Sequence, residues 1–211
     1  MPDDRLPTLT EKSRQYLNVP LDRIGHWLAR FGVHPDWITA LGLLAVAAAA
    51  IFIGTGDFLT GGVLLLLSLP FDAIDGAVAR ASQRQGSFGM VLDSTLDRYA
   101  DGFIFAAFGY HFARQGRLDM LMLAVFSLIG SYLVSYVRAR AEDSKVGIVV
   151  TIGWFSRLER VAVILVMTLA AGILQRVQPL EIGLLILAVG TNLTALQRLR
   201  YVYGALKNRG E

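Results

Sequence analysis

The composition of this 211-residue chain is that of a membrane protein, since 54% of its residues are hydrophobic and only 18% are charged. A soluble domain carries about 25% charged residues, so a soluble globular fold is disfavoured. The absence of cysteine excludes disulfides and thiolate metal sites. The net charge of +3 is explained by basic residues in the cytoplasmic loops and tails of a membrane protein. We therefore expect no nucleic-acid partner.

Residues 1–34 are predicted to form a cytoplasmic segment ahead of the first span. Its start, MPDDRLPTLTEKSRQ, is polar and mixed in charge, unlike a cleaved secretory signal. Further on, Leu21, Ile24, Leu28 and Phe31 recur at helical spacing, which predicts an amphipathic helix. Such a helix lies on the membrane surface or packs against the other helices, and the pattern leaves both alternatives open.

Six segments contain roughly the 20 apolar residues that a helix needs to cross a bilayer. They are residues 37–55, 58–79, 91–113, 118–139, 158–174 and 180–199. Short connections with turn residues separate them, and no repeat or long linker is visible. The sequence therefore predicts an all-α, six-span protein with an N-terminal interfacial helix. We expect one domain over residues 1–211, with a membrane core at 35–200 and a cytoplasmic tail at 201–211.

The distribution of basic residues predicts the orientation. With six spans, both termini and the loops at 80–89 and 140–157 share one side, which holds most of the lysine and arginine. The other side has only Arg114, Arg117 and Arg176. The positive-inside rule places both termini in the cytoplasm.

Four aspartates are predicted to converge at the cytoplasmic ends of the second and third spans. Asp72 and Asp75 close the second span, and Asp93 and Asp97 lie on the third. Side chains three or four residues apart share one face of a helix. Because the loop ASQRQGSFG is short, the two helices should be antiparallel neighbours whose acidic faces meet.

Four close carboxylates require protons or cations, because burial and mutual repulsion disfavour four negative charges. An all-oxygen ligand set suits Mg²⁺ or Mn²⁺, and two divalent ions balance four carboxylates. Zinc is disfavoured, since cysteine is absent and the histidines lie outside this pattern. We therefore expect two Mg²⁺ or Mn²⁺ ions.

These residues resemble the motif of the CDP-alcohol phosphotransferase family. The pattern is Asp72-x-x-Asp75-Gly76-x-x-Ala79-Arg80, eight residues, Gly89, three residues, Asp93, three residues and Asp97. Every fixed position of the family motif is present at its spacing, and the resemblance extends over nearly the whole chain. It implies an enzyme that moves a phosphatidyl-type group from a CDP-linked lipid to an alcohol and releases CMP.

The resemblance also implies roles for single residues. Asp72, Asp75, Asp93 and Asp97 would hold the metal ions, and Asp97 would also act as the catalytic base. The residues that would bind the nucleotide are Gly76, Ala79, Arg80, Gly89 and, from the stretch HPDWIT, Pro35, Asp36 and Thr39. Pro-Asp ahead of a span is also an ordinary helix start, so HPDWIT has both interpretations.

Three arginines are predicted to form the binding site of the acceptor alcohol. Arg138, Arg157 and Arg198 come from the fourth, fifth and sixth spans, each at a cytoplasmic end. Several guanidinium groups around one cavity bind a phosphate well, which favours a phosphorylated polyol as the acceptor. The alternative is that each arginine is an ordinary cytoplasmic charge.

The stretches SYVRARAE, RLER and LQRL resemble the phosphatidylinositol phosphate synthase branch of the family, which has lysine where this chain has Arg138. The resemblance implies CDP-diacylglycerol as the donor, inositol 1-phosphate as the acceptor, and a homodimer in the cytoplasmic membrane. Glycerol 3-phosphate is the alternative acceptor. Arg140, Glu142 and Glu159 either orient the three arginines through ion pairs or are loop charges.

Two other classes of protein also place charges beside membrane spans. A cation-coupled transporter would use the aspartates as an ion site, but transporter sites lie near the bilayer midplane. A structural membrane scaffold gives no reason for the aspartate spacing. The sequence therefore favours the enzyme.

Overall fold

The computed structural model describes residues 9–83, 86–143, 148, 150 and 152–207, with side chains from residue 20 onward. Residues 1–8 and 208–211 of the predicted N-terminal segment and tail lie outside the described residues. So do residues 84–85, 144–147, 149 and 151 of the predicted cytoplasmic loops.

Seven helices and no strand form the described part of the chain, which confirms the all-α prediction. They are α1 (Leu9–Arg30), α2 (Pro35–Thr55), α3 (Phe58–Ala81), α4 (Ser87–Arg114), α5 (Leu118–Asp143), α6 (Arg157–Leu174) and α7 (Gln178–Lys207).

Among these residues, four helices are long and apolar enough to cross a membrane, namely α2, α3, α5 and α7. Helix α4 has 28 residues but carries Asp93, Asp97, Arg98 and Asp101 along its length. Helix α6 has 18 residues, and its first turn is charged. Charged side chains lower the apolar character of both helices, so six spans stay a prediction.

Local residue chemistry explains where the helices begin and end. Helix α2 begins at Pro35, whose ring fixes a helical φ and whose missing N–H is not needed in a first turn. Asp36 follows in that turn, where a negative charge suits the helix dipole. Gly56 and Gly116 stand just after α2 and α4 with φ of 98° and 72°, a conformation that glycine adopts without strain.

The chain divides into two compact units. The first contains the described residues up to Leu44 together with Ser68–Asp97, and so includes α1, the start of α2, the end of α3 and the start of α4. The second contains Ala45–Leu67 and the described residues from Arg98 onward.

The second unit has a dense apolar core. Phe105, Phe108 and Phe112 of α4 are at most 1% exposed, and Leu180 and Leu184 of α7 are fully buried beside them in the same cluster. Close packing of this kind gives each element one defined position.

A buried ion pair links two helices of the second unit. Arg160 of α6 donates a hydrogen bond from Nη2 to Oδ2 of Asp101 on α4 at 3.1 Å, and both residues are buried. Removing two charges from water is costly unless each has a partner of opposite charge. Here Arg160 and Asp101 are partners of each other. The pair thus joins α4 to the first turn of α6.

Candidate active site

Three of the four predicted aspartates meet in the first unit. Asp72 and Asp75 lie near the end of α3, and Asp93 lies near the start of α4. One carboxylate oxygen of each lies within 4.8 Å of the others, which is close enough for all three to ligate the same ion. Asp72 is exposed, while Asp75 and Asp93 are half-buried, so the cluster opens to solvent on one side.

Asp97 does not belong to this group of three. It follows Asp93 by one helical turn on α4 and is half-buried. Four residues advance a helix by about 6 Å, which sets its carboxylate further along the helix than the cluster. The role of Asp97 therefore stays a prediction.

Thr39 of α2 holds one of the clustered carboxylates. Its hydroxyl Oγ1 donates a hydrogen bond to Asp75 Oδ2 at 2.7 Å. Thr39 was predicted to contact the nucleotide, and the structure gives it this additional contact. Groups that orient a metal-ligating carboxylate in this way tune the affinity of the site. Helices α2, α3 and α4 thus all contribute to the cluster.

A cavity of about 490 Å³ opens beside the aspartates. All seven residues predicted to bind the nucleotide line it, together with Asp75 and Asp93; they are Pro35, Asp36, Thr39, Gly76, Ala79, Arg80 and Gly89. Gly86, Ser87 and Met90 also line the cavity, and the sequence carries no signal for them because they fall on variable positions of the motif. The spacing of the motif therefore corresponds to one surface in space.

The two motif glycines leave room in the cavity wall. A Cβ atom at Gly89 would lie 3.8 Å from Asp36 Oδ1, and one at Gly76 would lie 3.5 Å from Arg80 Nη1. Neither contact is a clash, so a side chain at these positions would occupy the cavity instead of disturbing the helices. The glycines thus let a ligand approach the backbone.

Asp36 combines a helix start with a position on the cavity wall. It lies in the first turn of α2 and lines the cavity. Its Oδ2 atom lies 3.3 Å from His34 Nδ1. Helix start and cavity wall are therefore compatible roles for this residue.

The three predicted acceptor arginines lie in the second unit in different environments. Arg198 is 5% exposed and donates from Nε to the carbonyl of Ile152 at 2.9 Å and from Nη1 to that of Val134 at 2.8 Å. Arg138 is exposed, and its Nε donates to Glu142 Oε1 at 2.9 Å. Arg157 is exposed in the first turn of α6. Arg198 therefore anchors the backbone as well as carrying charge.

These arginines belong to a wider basic cluster. Arg198 lies close enough to Arg138 and Arg160 to feel the repulsion of their positive charges, and Arg160 feels that of Arg157 in the same way. Arg160 is not among the three arginines predicted for the acceptor. Asp101 was the available signal, because an aspartate that borders a long apolar stretch requires a cationic partner.

The three neighbouring charges behave differently from one another. Glu142 pairs with Arg138 at 2.9 Å, a contact compatible with the first of the two alternatives for this residue. Arg140 pairs with Asp143 at 2.8 Å, and Glu159 accepts a hydrogen bond from the Ser156 hydroxyl. The latter two interactions are local to α5 and to the start of α6.

Comparison with known proteins agrees with this geometry. Residues 32–196 match the family model of the CDP-alcohol phosphatidyltransferases. The chain belongs to this family. The predictions of the family and of a transferase enzyme are thereby confirmed, and the apolar helices fit a membrane protein.

Two relatives carry related names. A phosphatidylinositol phosphate synthase from Streptomyces avermitilis is 36% identical over 197 residues, which cover 90% of this chain and 80% of the relative. An archaetidylinositol phosphate synthase from Pyrococcus horikoshii is 35% identical over 199 residues, covering 94% of this chain and 97% of the relative. Both similarities extend over almost the full chain.

The fold is similar to that of the Mycobacterium tuberculosis phosphatidylinositol phosphate synthase. Its crystal structure with CDP-DAG bound has a TM-score of 0.79 at 32% identity and covers 87% of this chain and 93% of that one. Its structure in complex with manganese and citrate has a TM-score of 0.80, covering 87% and 88% of the two chains. The clustered carboxylates of the present chain form the all-oxygen ligand set that Mn²⁺ and Mg²⁺ prefer, as predicted.

Replacement of Thr39 tests its role in holding the carboxylate. Thr39→Val removes the hydroxyl at nearly constant volume, and we expect Mn²⁺ affinity, measured by titration calorimetry, to fall at least about tenfold. Thr39→Ser keeps the hydroxyl and should bind Mn²⁺ as the wild type does. Equal affinity in the valine and wild-type proteins would contradict this role.

Proposed function

We propose that this protein transfers the phosphatidyl group of CDP-diacylglycerol to inositol 1-phosphate, forming phosphatidylinositol phosphate and CMP. The observation that carries the proposal is the carboxylate cluster beside a cavity lined by six residues of the family motif, namely Asp75, Gly76, Ala79, Arg80, Gly89 and Asp93. The names of the relatives and the CDP-DAG complex of the M. tuberculosis enzyme support the substrate assignment.

In the proposed reaction the acceptor hydroxyl oxygen bonds to the phosphorus of the phosphatidyl group. The bond from that phosphorus to the oxygen shared with CMP breaks, and the electron pair leaves with CMP. Asp97 accepts the hydroxyl proton as general base. Transfer in one step needs no covalent enzyme intermediate.

Asp72, Asp75 and Asp93, with Asp97 beside them, would hold two divalent ions. When bound, such ions neutralise the carboxylates and stabilise the negative charge that develops on the leaving phosphate. Arg80 is permanently charged and lines the same cavity, so it can pair with the diphosphate. Gly76 and Gly89 admit the nucleotide close to the helix backbone.

The basic cluster of the second unit would bind the phosphate of the acceptor. Arg138 and Arg157 are exposed and can present guanidinium donors to it, while Arg198 holds the surrounding backbone. Such a cluster favours an acceptor that carries a phosphate over serine or free inositol. Glycerol 3-phosphate shares that phosphate and is the competing acceptor.

We propose that α4 and α6 also cross the membrane, so that one domain has six spans with both termini and the active site at the cytoplasmic face. At 28 and 18 residues, these helices extend about 42 and 27 Å, close to or beyond a hydrocarbon core of about 30 Å. The exposed apolar residues Ile24 and Trp27 of α1, and Phe31 just after it, suit an interfacial helix. A homodimer completes the proposal.

An acceptor panel tests this function directly. Purified protein with CDP-diacylglycerol and Mn²⁺ should release CMP with inositol 1-phosphate, and not with serine or free inositol. Faster CMP release with glycerol 3-phosphate would replace the proposed acceptor, and no release with any acceptor would contradict the function.

Replacement of Asp97 tests its role as the base. Asp97→Asn should lower kcat by at least about a hundredfold, because the base is lost. Full activity of this variant would exclude Asp97 as the base.

A second experiment tests the acceptor site by itself. Arg138→Ala should raise the KM for inositol 1-phosphate about tenfold or more, because a charged hydrogen-bond donor is lost. The KM for CDP-diacylglycerol should stay unchanged. Arg140→Ala is the matched control, since Arg140 is an exposed arginine on the same helix that pairs with Asp143. An unchanged acceptor KM in Arg138→Ala would show that Arg138 is an ordinary cytoplasmic charge.

A further inference from the structure

An aspartate outside the family motif contacts the cavity arginine. Arg80, near the end of α3, donates from Nη2 to Oδ1 of Asp22 on α1 at 3.2 Å. Asp22 lies 58 residues earlier in the chain and belongs to the segment that precedes the first predicted span. Helix α1 therefore contacts a residue that lines the cavity.

Close helix packing sets the position of Asp22. A Cβ atom at Gly25 would lie 2.7 Å from the carbonyl carbon of Ala77 and 2.9 Å from its Cβ, so α1 and α3 approach with their backbones almost in contact. Gly25 is buried, and Ala77 is 1% exposed. Asp22 stands three residues before Gly25, and Arg80 three residues after Ala77. The two contacts thus lie on adjacent turns of an antiparallel crossing.

The other end of the guanidinium faces the cavity. Arg80 Nη1 lies 3.5 Å from the position that a Cβ atom of Gly76 would occupy. Nη1 of Arg80 thus lies at the cavity wall, while Nη2 is hydrogen-bonded to Asp22. Asp22 engages the guanidinium through a single oxygen, so donors remain for a phosphate.

The ion pair is too exposed to contribute much to folding. The side chains of Arg80 and Asp22 are 51% and 46% exposed, and exposed pairs add little to stability. The ion pair can still affect ligand binding, because it restricts the side chain of Arg80. A free arginine side chain loses considerable rotamer entropy when it binds a ligand, and a contact that already restricts it reduces that loss.

We propose that Asp22 is a positioning residue for the CDP-linked substrate: it holds the Arg80 guanidinium along the cavity wall, ready for the diphosphate. Helix α1 is then a part of the substrate site in addition to any membrane contact. This inference rests on the proposed function. The alternative is that Asp22 competes with the substrate phosphate for Arg80. In that case removal of the Asp22 carboxylate would tighten substrate binding.

Asp22→Asn tests the proposal with a steric match that lacks the charge. We expect the KM for CDP-diacylglycerol, and the dissociation constant for CDP with Mn²⁺ measured by calorimetry, to rise roughly fivefold. We expect kcat and the KM of the acceptor to stay within about twofold of the wild type. Asp22→Glu should recover most of the affinity. Asp143→Asn, which breaks the exposed pair with Arg140, is the matched control and should leave both constants unchanged.

A double-mutant comparison separates positioning from a general effect of charge. In an Arg80→Ala background, Asp22→Asn should cause no further loss, because the residue through which Asp22 acts is absent. An unchanged or lower dissociation constant in Asp22→Asn, or an equal loss with and without Arg80, would overturn the proposal. Failure of the wild type to release CMP would refute the proposed function, whereas CDP binding would still report on Asp22.

Discussion

The site depends on one electrostatic constraint: three carboxylates beside a cavity each place an oxygen within 4.8 Å of the others. Like charges this close repel, and the repulsion grows as solvent is excluded. Cations resolve it, and an enzyme that handles a diphosphate uses the same cations to bind its substrate. The surrounding groups fit that arrangement, since Thr39 orients one carboxylate and Arg80 adds a fixed positive charge.

The same constraint shapes the helices. Helix α3 is apolar over most of its length and places its acidic residues in its last turns. Helix α4 carries its charges along the first part of its length, so composition does not identify it as a span, although it is among the longest helices of the described residues. In the proposed six-span arrangement, catalytic charge and membrane insertion place opposing demands on α4. A length greater than the bilayer needs lets one helix meet both.

The sequence predicted the features that depend on spacing along one helix. The shared face of Asp72 and Asp75, and the alignment of Gly76, Ala79 and Arg80, follow from helical periodicity, and the structure gathers most of the motif around one cavity. Helix ends were also predictable, because Pro35, Gly56 and Gly116 have local conformational preferences.

The contacts that escaped prediction join residues far apart in the chain. Thr39 meets Asp75 across 36 residues, Asp22 meets Arg80 across 58, and Asp101 meets Arg160 across 59. No periodicity encodes such a partner, since it depends on how the helices cross. The burial of Arg198 was hidden for the same reason: its partners are backbone carbonyls, which every residue type offers equally.

The number of Mn²⁺ ions bound per chain tests the central claim most directly. Titration of the purified protein, followed by electron paramagnetic resonance of free Mn²⁺, should show two bound ions. Asp93→Asn should lose at least one of them, because it removes a ligand from the cluster of three. A wild-type protein that binds no Mn²⁺, or an Asp93→Asn protein that binds it as the wild type does, would contradict a metal centre built on these carboxylates.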